Sequence, residues 1–331
     1  MQHHSVRTDW SVAEITELYH TPLLALVARA SSVHTGHHSY RDIQCCTLLS
    51  VKTGGCPEDC AYCPQAARYA TGVDVHRLMD VGTVTDAARQ ARDAGSTRFC
   101  MGAAWREVRD NSDFDRVLEM VTKVRALGLE VCCTLGMVTA DQARRLAEAG
   151  LTAYNHNIDT SSSFYGSVIT TRAFDDRIDT IANVRAAGLS VCSGGIIGMG
   201  EGDEDRIGFL HTLACFDPHP ESVPINVLVP VEGTPLAGSP PVDPFDLVRM
   251  VACARILMPR SRVRLSAGRL SLSHEAQALA FLAGANSIFT GEKLLTTPNP
   301  GTDSDQDLFH KLGVVPTQPY SVEFTITESA E

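Results

Sequence analysis

The chain has 331 residues, of which 44% are hydrophobic, and its formal net charge at pH 7 is -11. This apolar content suffices for a substantial core, and the negative charge argues against nucleic acid as a partner. No apolar run approaches the roughly 18 residues that span a bilayer, and residues 1–10 lack the apolar segment of a signal peptide. We therefore expect a cytoplasmic protein with no membrane partner. In such a reducing compartment, the 11 cysteines favour metal ligation or redox chemistry over disulfide bonds.

The N-terminal segment predicts two short helices ahead of the main body. Residues 11–14 (Ser-Val-Ala-Glu) have the form of a capping box, and Thr21-Pro22 fits an N-cap followed by proline in the first turn. Three histidines follow within residues 34–38 without an evident metal spacing, so a solvated loop is expected there. Residues 1–44 are accordingly predicted to form an N-terminal helical cap.

From residue 45 onward, apolar β-rich runs alternate with amphipathic helices that end in a small residue and a glycine. The predicted strands are 46–50, 97–101, 130–134, 153–157, 190–194, 223–229, 263–266 and 287–289. The predicted helices are 85–93, 114–126, 140–149, 174–187, 203–214, 244–258 and 275–283. This alternation favours an α/β fold, a parallel (β/α)8 barrel of the TIM type over residues 45–300, with a doubly wound open sheet as the alternative. Residues 301–331 are predicted to hold a C-terminal helix and a loose acidic tail.

Three cysteines are packed into eight residues with the spacing Cys-x3-Cys-x2-Cys, namely Cys56, Cys60 and Cys63. On a single helix, Cys56 and Cys63 would be about 10 Å apart along the axis, too far for their side chains to share one centre. The flanking glycines and prolines instead favour a loop that brings the three thiolates together. Structural zinc and iron-sulfur clusters both use such thiolates, usually four of them. A fourth cysteine would close the site, whereas an open iron could bind a small chelating ligand.

Three further cysteines fall within predicted strands two, three and five, namely Cys100, Cys132 and Cys192. Because alternate strand residues face opposite sides, Cys132 and Cys133 cannot both point into a barrel. Three inward cysteines on nearby strands could form a second metal centre below the first. Arg264, on the seventh predicted strand, could point the same way, but a permanently protonated guanidinium predicts an anion or substrate contact. The remaining cysteines are interpreted as inert packing residues: Cys45, Cys46, Cys215 and Cys253.

The three-cysteine loop, with Tyr62 before its last cysteine, resembles the motif of radical S-adenosylmethionine enzymes. Longer blocks between about Tyr40 and Pro300 resemble the biotin synthase family: 98–105, 154–160, 191–195, 222–226, 263–269, 284–289 and 294–300. The resemblance implies a 4Fe-4S cluster on Cys56, Cys60 and Cys63. The fourth iron of that cluster would bind S-adenosylmethionine, which is cleaved to a 5'-deoxyadenosyl radical.

The same resemblance implies a second, 2Fe-2S cluster on Cys100, Cys132, Cys192 and Arg264. The sulfide of this cluster would enter dethiobiotin at C9 and C6 to form biotin. The implied S-adenosylmethionine contacts are Tyr62, Ile196 and Val229 with the adenine, Asn157 and Asp159 with the ribose, and Arg177 with the methionine carboxylate. The implied dethiobiotin contacts are Asn157 and Asn226 with the ureido ring, and Thr296 and Thr297 with the carboxylate.

Several alternatives stay open on the sequence alone. Arg177 lies close to Asp175 and Asp176, so it could form a surface ion pair, and Thr296 with Thr297 could merely cap a turn. The rival functions are a radical S-adenosylmethionine enzyme without the second cluster and a non-enzymatic iron-sulfur carrier. The expected partners are an electron donor such as flavodoxin or ferredoxin, iron-sulfur assembly proteins and a second copy of the chain in a homodimer.

Overall fold

The computed structural model describes residues 6–317, and its main sheet is a closed ring of parallel strands. The strands are β1 Asp42–Lys52, β2 Arg98–Ala103, β3 Glu130–Thr134, β4 Ala153–Asn155, β5 Ser190–Cys192, β6 Gly195–Ile197, β7 Ser222–Val227, β8 Arg262–Leu265, β9 Ser287–Thr290, β10 Lys293–Leu294, β11 Thr297–Pro298 and β12 Val315–Pro316. Eight of them pair in the order β1-β2-β3-β4-β5-β7-β8-β9, and β9 pairs with β1 to close the ring. This closure confirms the (β/α)8 barrel and rules out the doubly wound open sheet.

Helices precede the barrel, connect its strands and follow the last one. They are α1 Val12–Tyr19, α2 Leu23–His37, α3 Val81–Asp93, α4 Ser112–Arg125, α5 Ala140–Glu148, α6 Ser162–Val168, α7 Phe174–Ala186, α8 Asp203–Ala214, α9 Pro244–Leu257, α10 His274–Leu282 and α11 Thr302–Leu312. All seven helices predicted between the strands are present, whereas the short α6 and strand β6 were not predicted. Within residues 6–317, no helix is long and apolar enough to cross a membrane.

The N-terminal helices agree with the sequence in part. The capping box is present, since Glu14 N donates to Ser11 Oγ at 3.3 Å and Ser11 N donates to the Glu14 carboxylate at 2.9 Å. The second helix starts after Pro22, which takes the N-cap position expected for Thr21. The solvated loop expected over residues 34–38 is wrong, because α2 runs to residue 37 and buries His34. His34 continues the buried face of α2, and this helix packs against α9.

Several strands end earlier than predicted, which moves candidate site residues into loops. Strand β4 ends before Asn157, β5 before Gly194, and β7 before Val229. At Gly194 an added Cβ would lie 1.9 Å from the Pro224 carbonyl oxygen, so only glycine allows this approach to β7. The loops after these strands lie at the C-terminal end of the barrel, where binding residues of this fold gather.

Two apolar regions lie on opposite sides of the barrel wall. The main core lies between the sheet and the helices, and Cys45 and Cys133 belong to it. A small separate cluster fills the inside of the barrel: Cys46, Cys100, Cys132, Ala153, Phe289 and Leu294. The strand alternation therefore sends Cys132 inward and Cys133 outward, which resolves the choice between them. The predicted tail at residues 321–331 lies outside the described residues.

Candidate active site

The three-cysteine loop follows the C-terminal end of β1 and folds back on itself. Cys56 N donates to the Gln65 carbonyl oxygen at 3.0 Å, and Cys63 N donates to the Cys60 carbonyl oxygen at 2.9 Å. Gly54 starts the turn with a φ of +69, a left-handed conformation that suits glycine. The predicted loop is confirmed, and the helix is excluded.

A carboxylate within the loop anchors it to the segment after α6. The Asp59 carboxylate accepts hydrogen bonds from Thr170 N at 2.9 Å and Thr171 N at 3.1 Å, and from both threonine hydroxyls. Burial acts to raise the pKa of Asp59, but these hydrogen bonds outweigh it and lower the pKa to about 2. The loop is therefore held in place by an ionised side chain, which sequence analysis did not single out.

Cys56, Cys60 and Cys63 line one cavity of about 200 Å³. All three are free thiols, and burial raises the pKa of Cys60 to about 11 and that of Cys63 to about 12. Such thiols stay protonated at neutral pH until a metal displaces the proton. Two other side chains of the cavity have buried nitrogens without a hydrogen-bond partner, Arg172 at Nε and Nη1 and His156 at Nε2. The thiols and the unpartnered N–H groups of Arg172 together fit a thiolate-bound cluster with an anionic ligand beside it.

Zinc and an iron-sulfur cluster place different demands on the three cysteines. Within residues 6–317, no group of three or more His, Cys, Asp or Glu side chains lies close enough to hold a single metal ion. Tetrahedral zinc needs all its sulfurs at about 2.3 Å from one ion, whereas a 4Fe-4S cluster binds each thiolate at a different iron. Three thiols around one cavity are compatible with either centre until further ligands are considered.

A buried ion pair lies in the same cavity. Asp159 and Arg177 are ion-paired and only 2% and 4% exposed, so a surface ion pair is wrong for Arg177. The Asp159 carboxylate also accepts a hydrogen bond from the Tyr62 hydroxyl at 2.8 Å, and Arg177 donates to the Asn157 carbonyl oxygen at 2.8 Å. Arg177 thus ties the loop after β4 to helix α7.

The backbone at Asp159 is strained. Its φ is 67, in the left-handed region that residues other than glycine seldom occupy. A hydrogen bond from Asp159 N to the Gly194 carbonyl oxygen at 3.1 Å holds it there. An added Cβ at Gly195 would lie 2.3 Å from the Asp159 carbonyl oxygen, so the close approach depends on glycine. Strain of this kind is found where a side chain must be aimed at a ligand.

A second cavity of about 210 Å³ adjoins the first and shares Tyr62, Cys63, Asn157 and Asp159 with it. It contains nine of the residues singled out in the sequence: Tyr62, Cys63, Asn157, Asp159, Ile196, Asn226, Val229, Thr296 and Thr297. Leu48, Phe289 and Leu294 form its apolar wall towards the barrel interior. Residues from distant parts of the sequence therefore meet at one opening of the barrel.

The polar groups of this second cavity are partly engaged within the protein. Asn226 donates to the Gly195 carbonyl oxygen at 2.8 Å and accepts from Ala267 N at 3.1 Å. Thr297 Oγ1 donates to the Leu294 carbonyl oxygen at 3.1 Å, so it stabilises a turn and lines the cavity at once. The turn-capping alternative is therefore compatible with a binding role.

Inside the barrel, Cys100, Cys132, Cys192 and Arg264 meet as the sequence suggested. Cys100 and Cys132 are direct partners across β2 and β3, so their thiols are neighbours. The interaction between the two thiols raises the pKa of Cys100 and lowers the pKa of Cys132, and the guanidinium groups of Arg98 and Arg264 favour the Cys132 thiolate further. Arg264 Nη1 lies 3.7 Å from Cys192 Sγ. The donor set and its two buried cations fit an anionic iron-sulfur cluster.

Cys46, which sequence analysis interprets as a packing residue, is also part of this interior group. Its Sγ lies 3.3 Å from Arg264 Nη2, while Arg264 Nε donates to Ser287 Oγ at 2.9 Å. A second buried guanidinium, that of Arg98, pairs with Glu130 at 2.7 Å and has an unpartnered Nη1. Strand alternation required either Cys45 or Cys46 to face inward, but only the closed barrel shows which one meets Arg264.

A larger cavity, of about 1040 Å³, opens at the opposite, N-terminal end of the barrel strands. Gln44, Arg98 and Glu130 lie on its wall, and Gln44 Oε1 accepts from Arg264 Nη2 at 3.4 Å. This cavity lies away from the three-cysteine loop and contains none of the residues that the resemblance assigns to the clusters, S-adenosylmethionine or dethiobiotin. The interior cysteines thus lie between two cavities, one at each end of the barrel.

Comparison with known proteins agrees with this arrangement. Residues 50–213 match the Radical SAM superfamily, and residues 224–315 match the Biotin and Thiamin Synthesis associated domain. Among solved structures, methylornithine synthase has a TM-score of 0.78 at 18% identity, over 93% of this chain and 94% of that chain. The FeFe-hydrogenase maturase HydG from Carboxydothermus hydrogenoformans has a TM-score of 0.79 at 14% identity, over 93% of this chain and 76% of that chain. These two likenesses show the fold.

Curated relatives are far closer in sequence. The biotin synthase of Cytophaga hutchinsonii is 60% identical over 315 residues, which cover 95% of this chain and 94% of the relative. The mitochondrial biotin synthase of Arabidopsis thaliana is 57% identical over 327 residues, covering 98% and 86%. With such identity over nearly the whole length, and with both domain matches, the chain belongs to the biotin synthase family of radical S-adenosylmethionine enzymes.

Proposed function

We propose that this chain forms biotin from dethiobiotin by inserting sulfur at C9 and C6, and that the sulfur comes from a 2Fe-2S cluster inside the barrel. The observation that carries the proposal is the meeting of Cys100, Cys132, Cys192 and Arg264 in one buried interior group. This group adjoins the cavity that contains the implied substrate residues, since Phe289 and Leu294 contribute to both.

Two sets of side chains would hold the clusters. Cys56, Cys60 and Cys63 would bind the 4Fe-4S cluster, and the interior set would bind the 2Fe-2S cluster. When bound, the clusters and S-adenosylmethionine supply the electron, the 5'-deoxyadenosyl radical and the sulfide. The protein has to orient these groups and keep water and competing donors away from them.

For S-adenosylmethionine, the Asp159 and Arg177 pair supplies the polar contacts. Tyr62 and Arg177 both bind the Oδ2 atom of Asp159, which leaves Oδ1 to accept from the ribose hydroxyls. Arg177 uses three of its five N–H groups within the protein, so two are left for the methionine carboxylate. Tyr62, Ile196 and Val229 would enclose the adenine. Arg172, with two unpartnered nitrogens, adds a second cation to the same cavity.

For dethiobiotin, two asparagine amides and two threonine hydroxyls are proposed as contacts. Asn157 Oδ1 already accepts from Asn155 Nδ2 at 3.1 Å and from Gly194 N at 3.2 Å, so its amide nitrogen is the group left for the ureido oxygen. Asn226 retains one N–H and one oxygen lone pair beyond its two backbone bonds. Thr296 and Thr297, in the same cavity, would bind the carboxylate end.

The rival functions predict fewer clusters or no product. Anaerobic reconstitution followed by iron and sulfide analysis should give one 4Fe-4S and one 2Fe-2S cluster per chain. Incubation with dethiobiotin, S-adenosylmethionine and a reductant should then yield biotin and 5'-deoxyadenosine. A 4Fe-4S cluster alone would favour the rival enzyme or the carrier, and 5'-deoxyadenosine without biotin would refute the substrate assignment.

The sulfur-donor role has its own test. Cys192→Ala should spare the 4Fe-4S cluster and abolish biotin formation. Cys253→Ala is the matched control, because Cys253 is equally buried but lies in α9 within the outer core. Retained biotin formation in Cys192→Ala would refute the role of the interior set.

Other expectations stay predictions. These are the electron donor such as flavodoxin or ferredoxin, the iron-sulfur assembly partners, the homodimer and the cytoplasmic location. The division into a cap at 1–44, a barrel at 45–300 and a C-terminal segment at 301–331 is likewise a prediction.

A further inference from the structure

We propose that the Cys46 thiolate can replace Arg264 as the fourth ligand of the second cluster. This inference rests on the proposed 2Fe-2S cluster. It adds a fourth cysteine to the three that the family resemblance assigns.

The position of Arg264 shows why Cys46 is within reach. Its guanidinium lies between two sulfurs, with Nη2 at 3.3 Å from Cys46 Sγ and Nη1 at 3.7 Å from Cys192 Sγ. The two nitrogens belong to one planar group, so both sulfurs border the same small volume. A metal bound at the end of Arg264 would therefore be near both Cys46 and Cys192.

Cys46 also faces the other two interior cysteines. It packs with Cys100 and Cys132 in the apolar cluster inside the barrel, and none of its surface is exposed to solvent. Its neighbour Cys45 points the other way, into the core between sheet and helices. Four cysteines from strands β1, β2, β3 and β5 thus meet in one enclosure, which is the usual ligand number of a 2Fe-2S cluster.

Buried hydrogen-bond donors without a partner surround the four cysteines and can stabilise the negative charge of a fourth thiolate. Arg98 is buried beside Cys46, Cys100 and Cys132, and its Nη1 has no hydrogen-bond partner. The Ser222 hydroxyl, in register with Cys192, is also buried and unpartnered. These donors could bind the sulfur atoms of an all-thiolate cluster, whose oxidised form carries two negative charges.

The exchange of ligands is balanced without any electron transfer. With Cys46 holding the cluster, its thiolate sulfur would take the ligand position that an Arg264 nitrogen would otherwise occupy. The proton lost by the Cys46 thiol passes to Arg264 Nη2, its neighbour at 3.3 Å. Arg264 then becomes a protonated counter-ion, the state that a guanidinium normally has.

The test compares cluster assembly in four proteins: wild type, Arg264→Ala, Cys46→Ala and the double variant. We expect each single variant to retain the 2Fe-2S cluster, because Cys46 and Arg264 can each serve as its fourth ligand. The double variant has neither of these ligands and should lose at least about four-fifths of the cluster. The readouts are iron and sulfide content together with Mössbauer spectra. The 4Fe-4S content of each variant serves as the internal control for folding, and Cys45→Ala, on the same strand but facing outward, is the matched control.

A second measurement does not depend on the double variant. In Arg264→Ala, ligation by Cys46 makes both irons four-sulfur sites, so their two Mössbauer doublets should become equivalent. Doublets that stay inequivalent, or a double variant that holds as much 2Fe-2S cluster as Arg264→Ala, would overturn the role of Cys46. If the wild type binds no 2Fe-2S cluster at all, the proposed function fails first, and the two failures are thereby distinguished.

Discussion

The two cysteine sites of this molecule are built in opposite ways. The upper site takes three cysteines from eight residues of one loop, next to cavities that open at the end of the barrel. The interior site takes its cysteines from different strands and is closed to solvent on all sides, with Cys132 and Cys192 each 1% exposed. The first is therefore visible in the sequence, whereas the second exists only once the barrel has closed.

The difference also concerns how each site is stabilised. A loop needs outside anchors, and here Asp59 with Thr170 and Thr171 supplies them. The interior residues are positioned by strand register, as in the direct pairing of Cys100 with Cys132. We therefore expect substitutions around the upper site to act on ligand binding and loop stability, and those in the interior to act mainly on cluster occupancy.

The largest expected effect comes from comparing alanine substitutions at two adjacent cysteines of β3, Cys132 and Cys133. Cys132→Ala should abolish the 2Fe-2S cluster and biotin formation, because Cys46 lies beside Arg264 and can substitute for that ligand only. Cys133→Ala should retain both, at a cost of about 1 to 2 kcal/mol in the free energy of unfolding, because it only leaves a small gap in the outer core. Mössbauer spectra and urea unfolding measure the two effects.

The opposite pattern, with the cluster lost in Cys133→Ala and kept in Cys132→Ala, would mean a register shifted by one residue. Such a shift would also exchange Cys45 with Cys46 only if β1 moved too. The pair of variants thus tests the alternation on which the interior site depends.

Much of the fold could be predicted because each strand and helix has its own local pattern of apolar and polar residues. The predicted bounds of strand β3 agree with the structure to the residue, and all seven helices predicted between strands are present. Helix α6 has only seven residues and is too short to display a helical repeat. The histidines of α2 predict a loop because they are polar, although the buried face of the helix continues to His34.

The candidate site was predictable to the extent that it is local or resembles a family. Neither the pairing of Asp159 with Arg177 nor the contact of Cys46 with Arg264 could be derived from spacing, since each joins separate elements of the closed fold. Arg172 gave no signal because a single arginine before a helix is normally a surface residue.

The next largest effect is expected for the buried ion pair of the upper site. Asp159→Asn leaves the Arg177 charge buried without its partner, which should lower the free energy of unfolding by about 3 to 5 kcal/mol. It should also weaken S-adenosylmethionine binding, measured by calorimetry on the cluster-loaded protein. Asp141→Asn is the control, because its pair with Arg144 is exposed and should be worth less than about 1 kcal/mol. Equal costs for the two variants would contradict the importance of the buried pair.

Asp59→Asn tests the anchor of the loop. The pKa of Asp59 is lowered from 3.8 to about 2 in the folded chain, so ionisation of this group contributes about 2 kcal/mol to stability. Because the folded value is the lower one, the contribution is complete above about pH 4 and is lost as the pH falls through about 2. Urea unfolding of wild type and Asp59→Asn should therefore differ most at pH 7 and converge in acid. A difference that stays constant down to pH 2 would assign the effect to packing.

The smallest effect is expected for Tyr62→Phe, which removes only the hydroxyl that donates to Asp159 at 2.8 Å. Because the Asp159 charge is already paired with Arg177, the lost hydrogen bond is worth about 0.5 to 1.5 kcal/mol, so S-adenosylmethionine binding should weaken about 2- to 13-fold while the 4Fe-4S cluster is retained. Tyr69→Phe is the matched control, since its hydroxyl donates to the Asp59 carbonyl oxygen at 2.6 Å within the same loop but outside both upper cavities. If both variants weaken binding equally, the effect comes from loosening the loop, and the role of Tyr62 in aiming Asp159 at the ribose is wrong.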